Sequence, residues 1–277
     1  MKKLVCILND SININDDSID SLLICYLNFS SRSLFEKSYD EICDIKNNTN
    51  KEIFILFDAL ISQSKLYLAK QEFVKIKDIA DKIFFSDIAI YMFAKEFNCL
   101  DKLVYYSPTL IVSKQEISIW KNLGINNIII SKESTYEDYL AILNEHKDIN
   151  LGMLAFGYPQ IYFSKRKMLT SFKNNYQLDY ILDDKYRIKE KTRPYMQPIY
   201  EDENGTYIFT GDIFFPYKEL NNLLNNGMTY FIVDPLFVEE NDFVLKVNSA
   251  IKGDISFSDN NYSTFMLYRV AVNDYEK

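Results

Sequence analysis

Short apolar runs alternate with longer amphipathic stretches over the first two thirds of the chain. Leu4–Leu8, Leu22–Leu27, Ile53–Phe57, Ile83–Phe85, Leu103–Tyr106, Ile128–Ile130 and Leu151–Phe156 are rich in Ile, Leu, Val, Phe and Tyr and apolar at successive positions. A strand apolar on both faces is one covered on both sides, as in a parallel sheet wrapped by helices. The stretches between them carry the helical period. In Leu34–Lys46, residues Leu34, Phe35, Tyr39, Ile42 and Ile45 recur at three- and four-residue spacing, and Leu60–Ile79 repeats the pattern. Ile88–Phe97, Lys114–Leu123 and Tyr136–Lys147 continue it. Ser113 with Glu116, and Thr135 with Asp138, predict capping-box starts for two of these helices, and Gly124 predicts a C-cap. Strand–helix–strand alternation implies parallel strands joined by right-handed crossovers.

After Leu169 the rhythm changes. Residues 174–206 are polar and charged, with Arg187, Lys189, Lys191 and Arg193 close together. Glu201-Asp202-Glu203-Asn204-Gly205 is a turn signal between the extended pieces Met196–Tyr200 and Thr206–Phe209. This predicts a β-rich insertion at about 174–212, before the last strand. Tyr217–Leu224 reads as a helix ending at Gly227, Tyr230–Val233 as the eighth parallel strand, and a region near Val238–Ala250 as the closing helix. Residues 253–277 read as a short extended appendix. Eight strand candidates suit a closed barrel, and seven glycines in 277 residues, none forming a phosphate loop after the first strand, argue against an open doubly wound sheet. The expected fold is α/β: one TIM-like (β/α)8 barrel domain over residues 1–277.

Composition adds limits. With 48% hydrophobic and 15% aromatic residues the chain can bury a sizeable core, which excludes disorder. Lys plus Arg (31) against Asp plus Glu (39) gives a net charge of −8, which opposes a broad electrostatic grip on nucleic acid and leaves room only for a local basic patch. Met1-Lys2-Lys3 before an apolar run looks superficially like a secretion signal, but the run has about five residues against the roughly 7–15 required, and no small-residue cleavage site follows. No run reaches the length of a membrane span. The expected location is the cytoplasm, with no membrane partner. The four cysteines (Cys6, Cys25, Cys43, Cys99) form no C-x-x-C pair and are expected to be buried structural thiols.

In a (β/α) barrel, chemistry sits at the C-terminal ends of the strands. Here those ends carry Asn9 and Asp10, Asn28 and Arg32, Asp58, Asp87, Ser107, Glu133, the Gly157–Ser164 segment and Asp234, with Asp212 a further candidate. Such an acidic rim suits a cationic ligand, a hard metal ion or acid–base work, although Asp and Ser after strands also cap the next helix. The single histidine, His146, lies near the end of a polar helix and is expected at the solvated surface, which argues against Ser–His or Cys–His catalysis. Trp120 is expected in the core. The segment Phe156 to Lys167 packs a glycine, a proline, several aromatics and three consecutive cations after a strand. Tyr158, Gln160, Tyr162, Ser164, Lys165 and Lys167 there suit an anionic or base-like ligand; equally, the rings plug the barrel mouth while the cations form a solvated helical turn.

The run Gly157 to Lys167 with Met168-Leu169-Thr170 resembles the signature of the U32 "collagenase-like peptidase" family, a segment of H-G-A-L-C-x-x-Y-S-G-R-C-L-L-S type. Gly157, Phe163, Ser164, Arg166 and Leu169 fit it. Asp87 and its helix resemble the family's Q-D-x-G-x-x-x-L-A segment, Ser107–Leu123 its S-T-Q-x-x-V-x-N segment, and Ile128–Glu133 its strand ending in A-R-E. Ile199–Ile208 resembles the stretch before its later strands. The resemblance covers roughly residues 20–250. Where the signature has its two cysteines this chain has Gln160 and Lys167, and where it has histidine and an upstream glutamate it has Phe156 and Gly152. Ser-Pro-Thr replaces S-T-Q, and Ser131-Lys132 replaces A-R. In some members those cysteines help to hold an iron–sulfur cluster, which requires thiolates. No cofactor or metal is therefore expected.

The family holds proteins called peptidases, and others that support hydroxylation of a tRNA wobble uridine or of ribosomal RNA, or hydroxylation during quinone synthesis. Some of these work as pairs of related subunits, one of them short. This chain is similar to the short, cluster-less type. The resemblance implies an accessory subunit in tRNA hydroxylation, with a longer cysteine-bearing paralogue and tRNA as partners. A U32-type peptidase and a ligand-binding barrel without turnover are the alternatives. Glu133, Asp87 and Arg166 are the candidate catalytic positions, and Asp58 and Asp234 join the 158–167 segment as candidate ligand contacts.

Overall fold

The computed structural model describes residues 2–31, 33–107, 110–179, 186–191, 195–256 and 262–268. Arg32, Arg193, Pro108 and Thr109 lie outside the described residues, as does most of the C-terminal appendix. Eight parallel strands close a barrel: β1 (Lys3–Ile7), β2 (Ser21–Cys25), β3 (Glu52–Phe57), β4 (Lys82–Phe85), β5 (Leu103–Tyr106), β6 (Asn127–Ile129), β7 (Asn150–Phe156) and β12 (Tyr230–Val233). Strands β1 to β7 neighbour each other in sequence order, and β12 fits between β7 and β1 to complete the ring. The barrel strands are buried on both faces, as their unbroken apolar runs predict.

Helices cover the outside. They are α1 (Tyr39–Asn47), α2 (Leu66–Ile79), α3 (Ile88–Glu96), α4 (Lys114–Asn122), α5 (Tyr136–Glu145), α7 (Leu220–Asn225) and α8 (Phe243–Lys252). A loop alone joins β1 to β2. The two expected capping boxes form, at Ser113/Glu116 and Thr135/Asp138. A third, Ser38/Glu41, starts α1 later than the periodicity suggests. The preceding Lys37 is extended and bonded to β2, its amide donating to the Cys25 carbonyl at 2.8 Å, so the helix cannot begin before Ser38. Trp120 packs against the core, stacked on Tyr105 with ring centroids 4.0 Å apart.

Several rings meet inside the barrel beside aliphatic side chains such as Ile129. Phe54 meets Phe84 at 5.8 Å and Tyr230 at 6.3 Å, and Phe84 meets Tyr106 at 5.9 Å. At the N-terminal end the polar groups are tied off: the Tyr230 hydroxyl donates to Asn127 Oδ1 at 2.9 Å, and Ser21 Oγ donates to Glu52 at 2.8 Å. Such pairing is what allows polar groups below a packed core.

Between β7 and β12 lies a second, antiparallel sheet of β8 (Gln160–Ser164), β9 (Arg187–Lys189), β10 (Met196–Glu201) and β11 (Thr206–Phe209), in the order β8-β11-β10-β9. It begins at Gln160, earlier than the expected insertion, and is followed by a further helix α6 (Met168–Tyr176). The sequence pattern reads 158–167 as a segment after a strand that binds a ligand or plugs the mouth, with a solvated helical turn at its cations, and assigns no strand there. The partner that makes β8 a strand is β11, distant in sequence, and α6 buries no side chain, so it lacks the periodic core signal. Tyr200, Tyr207, Phe209 and Leu236 form a small core of their own under this sheet.

Two further expectations are corrected. His146 is buried: its Nε2–H donates to the Lys114 carbonyl at 3.0 Å, and a satisfied polar tip lets an imidazole be buried among polar neighbours in sequence. Of the cysteines, Cys6, Cys25 and Cys99 are buried, but Cys43 is only half-buried on the outer helix α1. The described part of the appendix, residues 262–268, consists mainly of turns, pinned where Phe215 N–H donates to the Ser263 carbonyl and where Leu267 is buried.

Candidate functional site

The second sheet lies over the C-terminal mouth of the barrel, and a cavity of about 390 Å³ remains between them. Its floor is made by residues directly after barrel strands: Asp58 and Leu60 after β3, Ser86 after β4, and Tyr105, Tyr106 and Ser107 at the end of β5. Its roof is Gln160 to Phe163 of β8 and Tyr207 of β11. The size and mixed polarity are those of a small-molecule site, placed where barrel enzymes keep theirs.

Asp58 is buried and held in place: Ser31 donates to its two oxygens, from N–H at 2.8 Å and from Oγ at 2.5 Å, while Ser86 Oγ donates to its backbone carbonyl at 2.7 Å. Burial pushes the Tyr105 hydroxyl above its ordinary range, so this wall stays neutral. A small recess of about 30 Å³ shares Tyr106, Ser107 and Gln160 with the main cavity and adds Lys132 and Tyr158. The Lys132 side chain is 6% exposed, with its ammonium 3.1 Å from Glu133 Oε1.

The expected site residues are therefore divided. Gln160, Tyr162 and Asp58 line the cavity and Tyr158 the recess, its hydroxyl raised by burial. Glu133 stands at the mouth as the partner of Lys132. Asp87 is the N-cap of α3, its oxygens accepting from Ala89 N–H and Ile61 N–H, both at 2.9 Å. Asp234 is buried after β12 and accepts from Leu236 N–H at 3.1 Å. Ser164 Oγ accepts from Arg166 N–H at 3.1 Å, and Lys165, Arg166 and Lys167 are exposed, with Lys167 3.6 Å from Glu203. Asp10 and Asp212 are exposed. Asp58 is thus the rim carboxylate that enters the main cavity; the others cap backbone, pair with lysine or face solvent. Arg187 lies over the Phe237 ring at 5.0 Å.

Gly157 begins the roofing segment for a steric reason. Its φ is +138°, and a Cβ there would lie 2.6 Å from the Asp234 carbonyl oxygen. Only glycine lets the chain leave β7 so close to β12 and turn over the mouth.

A second, polar cavity of about 340 Å³ lies beside α6, lined by Asn28, Glu36, Thr170 and the Glu201–Asn204 turn. Burial raises the Glu36 carboxyl to about 7, opposed by backbone hydrogen bonds from Asn28 and Ser30. Glu201 is committed to the start of α6, accepting from Leu169 N–H at 2.7 Å and from Thr206 Oγ1 at 2.9 Å. Sequence reasoning passed over Ser31, Lys132, Glu36 and Tyr207. The signal for Lys132 was present, a cation directly after a barrel strand, whereas Ser31, Glu36 and Tyr207 reach their cavities only through tertiary contacts.

His146, the one histidine of the chain, caps the C-terminus of α5 with its ring bonded to the Lys114 carbonyl, and it lines neither the cavity nor the recess. Burial pushes the Cys6 thiol up, which makes it inert. Among the described residues no three His, Cys, Asp or Glu side chains are grouped to hold a metal ion. An iron–sulfur cluster does not fit the signature positions: Gln160 presents an amide to the cavity and Lys167 an ammonium to Glu203, and neither supplies a thiolate. No described helix is long and apolar enough to cross a membrane.

A family model described as Peptidase family U32 matches residues 12–255. A curated relative, tRNA hydroxylation protein P2 of Bacillus subtilis (strain 168), is 22% identical over 199 residues, covering 69% of this chain. The match spans 63% of that relative's length. Among solved structures, N-(5'-phosphoribosyl)anthranilate isomerase from Pyrococcus furiosus aligns over 91% of this chain and 99% of its own at 10% identity, with a TM-score of 0.46. Orotidine 5'-monophosphate decarboxylase from Methanocaldococcus jannaschii aligns over 91% and 98% at 13% identity, with a TM-score of 0.47.

Proposed function

The chain belongs to peptidase family U32, and on that premise we propose that it serves as an accessory subunit in hydroxylation of the tRNA wobble uridine. In this reading it acts in the cytoplasm, beside a longer, cysteine-bearing paralogue that supplies the redox chemistry, and carries no iron–sulfur cluster of its own. The observation that carries the reading is the cavity at the barrel mouth. Its walls offer flat faces in Tyr106, Phe163 and Tyr207, and its edges offer the Gln160 amide, the Ser107 hydroxyl and the Asp58 carboxylate. That combination suits a planar heterocycle with hydrogen-bonding edges, such as a uracil swung out of its strand. The relative described as a tRNA hydroxylation protein supports the same direction.

The peptidase reading finds less support. A hydrolytic nucleophile needs a base beside it, and the histidine, bonded to the Lys114 carbonyl, is not among the residues that line the cavity. Arg166, exposed next to the cavity roof, is the residue expected to meet the RNA backbone.

The test is mass spectrometry of wobble uridines in tRNA from a deletion strain. The hydroxylated uridine is expected to disappear, to return with the wild-type chain, and not to return fully with Arg166→Ala or Gln160→Ala. An unchanged profile in the deletion strain rejects the reading and leaves a ligand-binding barrel without this role.

A further inference from the structure

Among the described α-helices, α6 alone buries no side chain. It nevertheless shows an ordered apolar face. Met168, Phe172 and Tyr176 stand at i, i+4 and i+8 and are exposed by 43, 51 and 66%. The Phe172 and Tyr176 ring centroids are 4.8 Å apart, and the Tyr162 hydroxyl lies 3.5 Å from Met168 Sδ. Tyr162 also lines the cavity roof, so an aromatic strip runs from the cavity along the outside of α6. A monomer gains nothing by exposing such a row, and contiguous apolar surface of this kind marks a binding face.

The charge around the strip says what kind of partner fits. The chain as a whole carries −8, yet residues 149–178 contain Lys165, Arg166, Lys167 and Lys173 and no Asp or Glu. Of the acids beside the helix, Glu201 accepts from the α6 amides and Glu203 pairs with Lys167, while Glu36 and Asp202 line the polar cavity. Lys165 and Arg166 remain exposed at the foot of the helix. The exposed groups here are flat rings interleaved with cations along a stretch without acids, a pattern that binds single strands by stacking and phosphate pairing.

We propose that the strip from Tyr162 along α6 is a landing surface for a single-stranded nucleic-acid segment, with bases on Tyr162, Phe172 and Tyr176 and phosphates on Lys165 and Arg166. The surface deepens the tRNA reading, and rests on it only in that the same strand would deliver its base to the neighbouring cavity.

The test is fluorescence anisotropy of a fluorescein-labelled 12-nucleotide single-stranded RNA of mixed sequence, titrated with the full chain over a range of salt concentrations. Phe172→Ala combined with Tyr176→Ala is expected to weaken binding by at least about tenfold, since each base–ring stack is worth that order. Lys165→Ala with Arg166→Ala is expected to weaken binding and to flatten the plot of log K against log salt by roughly 1.4, about 0.7 for each lost cation. All four side chains are exposed, so circular dichroism and melting are expected to be unchanged. No binding by the wild-type chain, or equal binding by both double variants, overturns the proposal. So does a wild-type dimer, seen by sedimentation, that Phe172→Ala with Tyr176→Ala splits, because the strip is then a protein interface. RNA binding with an unchanged tRNA profile in the deletion strain would remove the proposed function and leave this surface standing; the reverse would do the opposite.

Discussion

Replacing Gly157 with alanine probes the step that carries the chain from the barrel to its roof. A Cβ at Gly157 would sit 2.6 Å from the Asp234 carbonyl oxygen and 2.9 Å from Asp234 Cβ, closer than real Cβ atoms approach other atoms. The obstacle is backbone and a buried side chain, which a closed ring of eight strands cannot easily displace. Backbone strain at φ +138° adds about 1–2 kcal/mol, and forced displacement of packed atoms a further ~1–3 kcal/mol. The expected loss is about 3 kcal/mol, or a fall in Tm of roughly 6–12 °C for a chain of this size. Gly227→Ala is the control. Its φ is +105°, but nothing lies within 4 Å of its added Cβ, so strain alone operates and the fall is expected to be roughly 2–8 °C. Differential scanning calorimetry of the two variants beside the parent gives the answer. Equal falls, or a Gly157→Ala melt within about 2 °C of the parent, would show that the close approach of β7 to β12 does not constrain this position.

Other predictions follow from single groups. The Glu36 carboxyl is raised from the ordinary 4.5 to about 7, so the folded state favours its protonated form, and its contribution to stability is lost as pH rises from about 4.5 through 7. The full shift corresponds to roughly 3 kcal/mol, cut to about 1–2 kcal/mol by partial exposure. Glu36→Gln should therefore raise Tm at pH 8 and leave it nearly unchanged at pH 4.5; the same gain at both pH values would contradict this. Asp87→Ala removes the acceptor of two backbone amides and should lower stability by about 2 kcal/mol in urea unfolding. Asp87→Asn keeps an acceptor for one of them and should still restore hydroxylated uridine in the deletion strain; normal stability with lost function would show that Asp87 does chemistry.

The reach of sequence reasoning differs between the barrel and the site. Barrel strands such as Leu22–Cys25 and Ile53–Phe57 announce themselves because burial on both faces demands an unbroken apolar run. Capping at Ser113 and Thr135 is equally local, with donor and acceptor three residues apart. Asp58 and Gln160 were reached because strand ends and the signature segment point to the mouth, and both line the cavity. Asp87 and Asp234 follow strands just as Asp58 does and, like it, accept backbone amides, yet of the three Asp58 is the one that lines the main cavity. Nothing local separates a capping aspartate from one in a cavity. His146 shows the same limit, since its burial depends on a carbonyl 32 residues away.

The amino-acid sequence by itself determined the closed α/β barrel, its strand order and its family, because each rests on periodicity or on motifs written along the chain. Tertiary structure alone decided that β8 pairs with β11, that the sheet so formed roofs the mouth, and that α6 turns its rings outward. Those outcomes depend on contacts between residues far apart in sequence, and an exposed aromatic strip has no period that distinguishes it from a buried one.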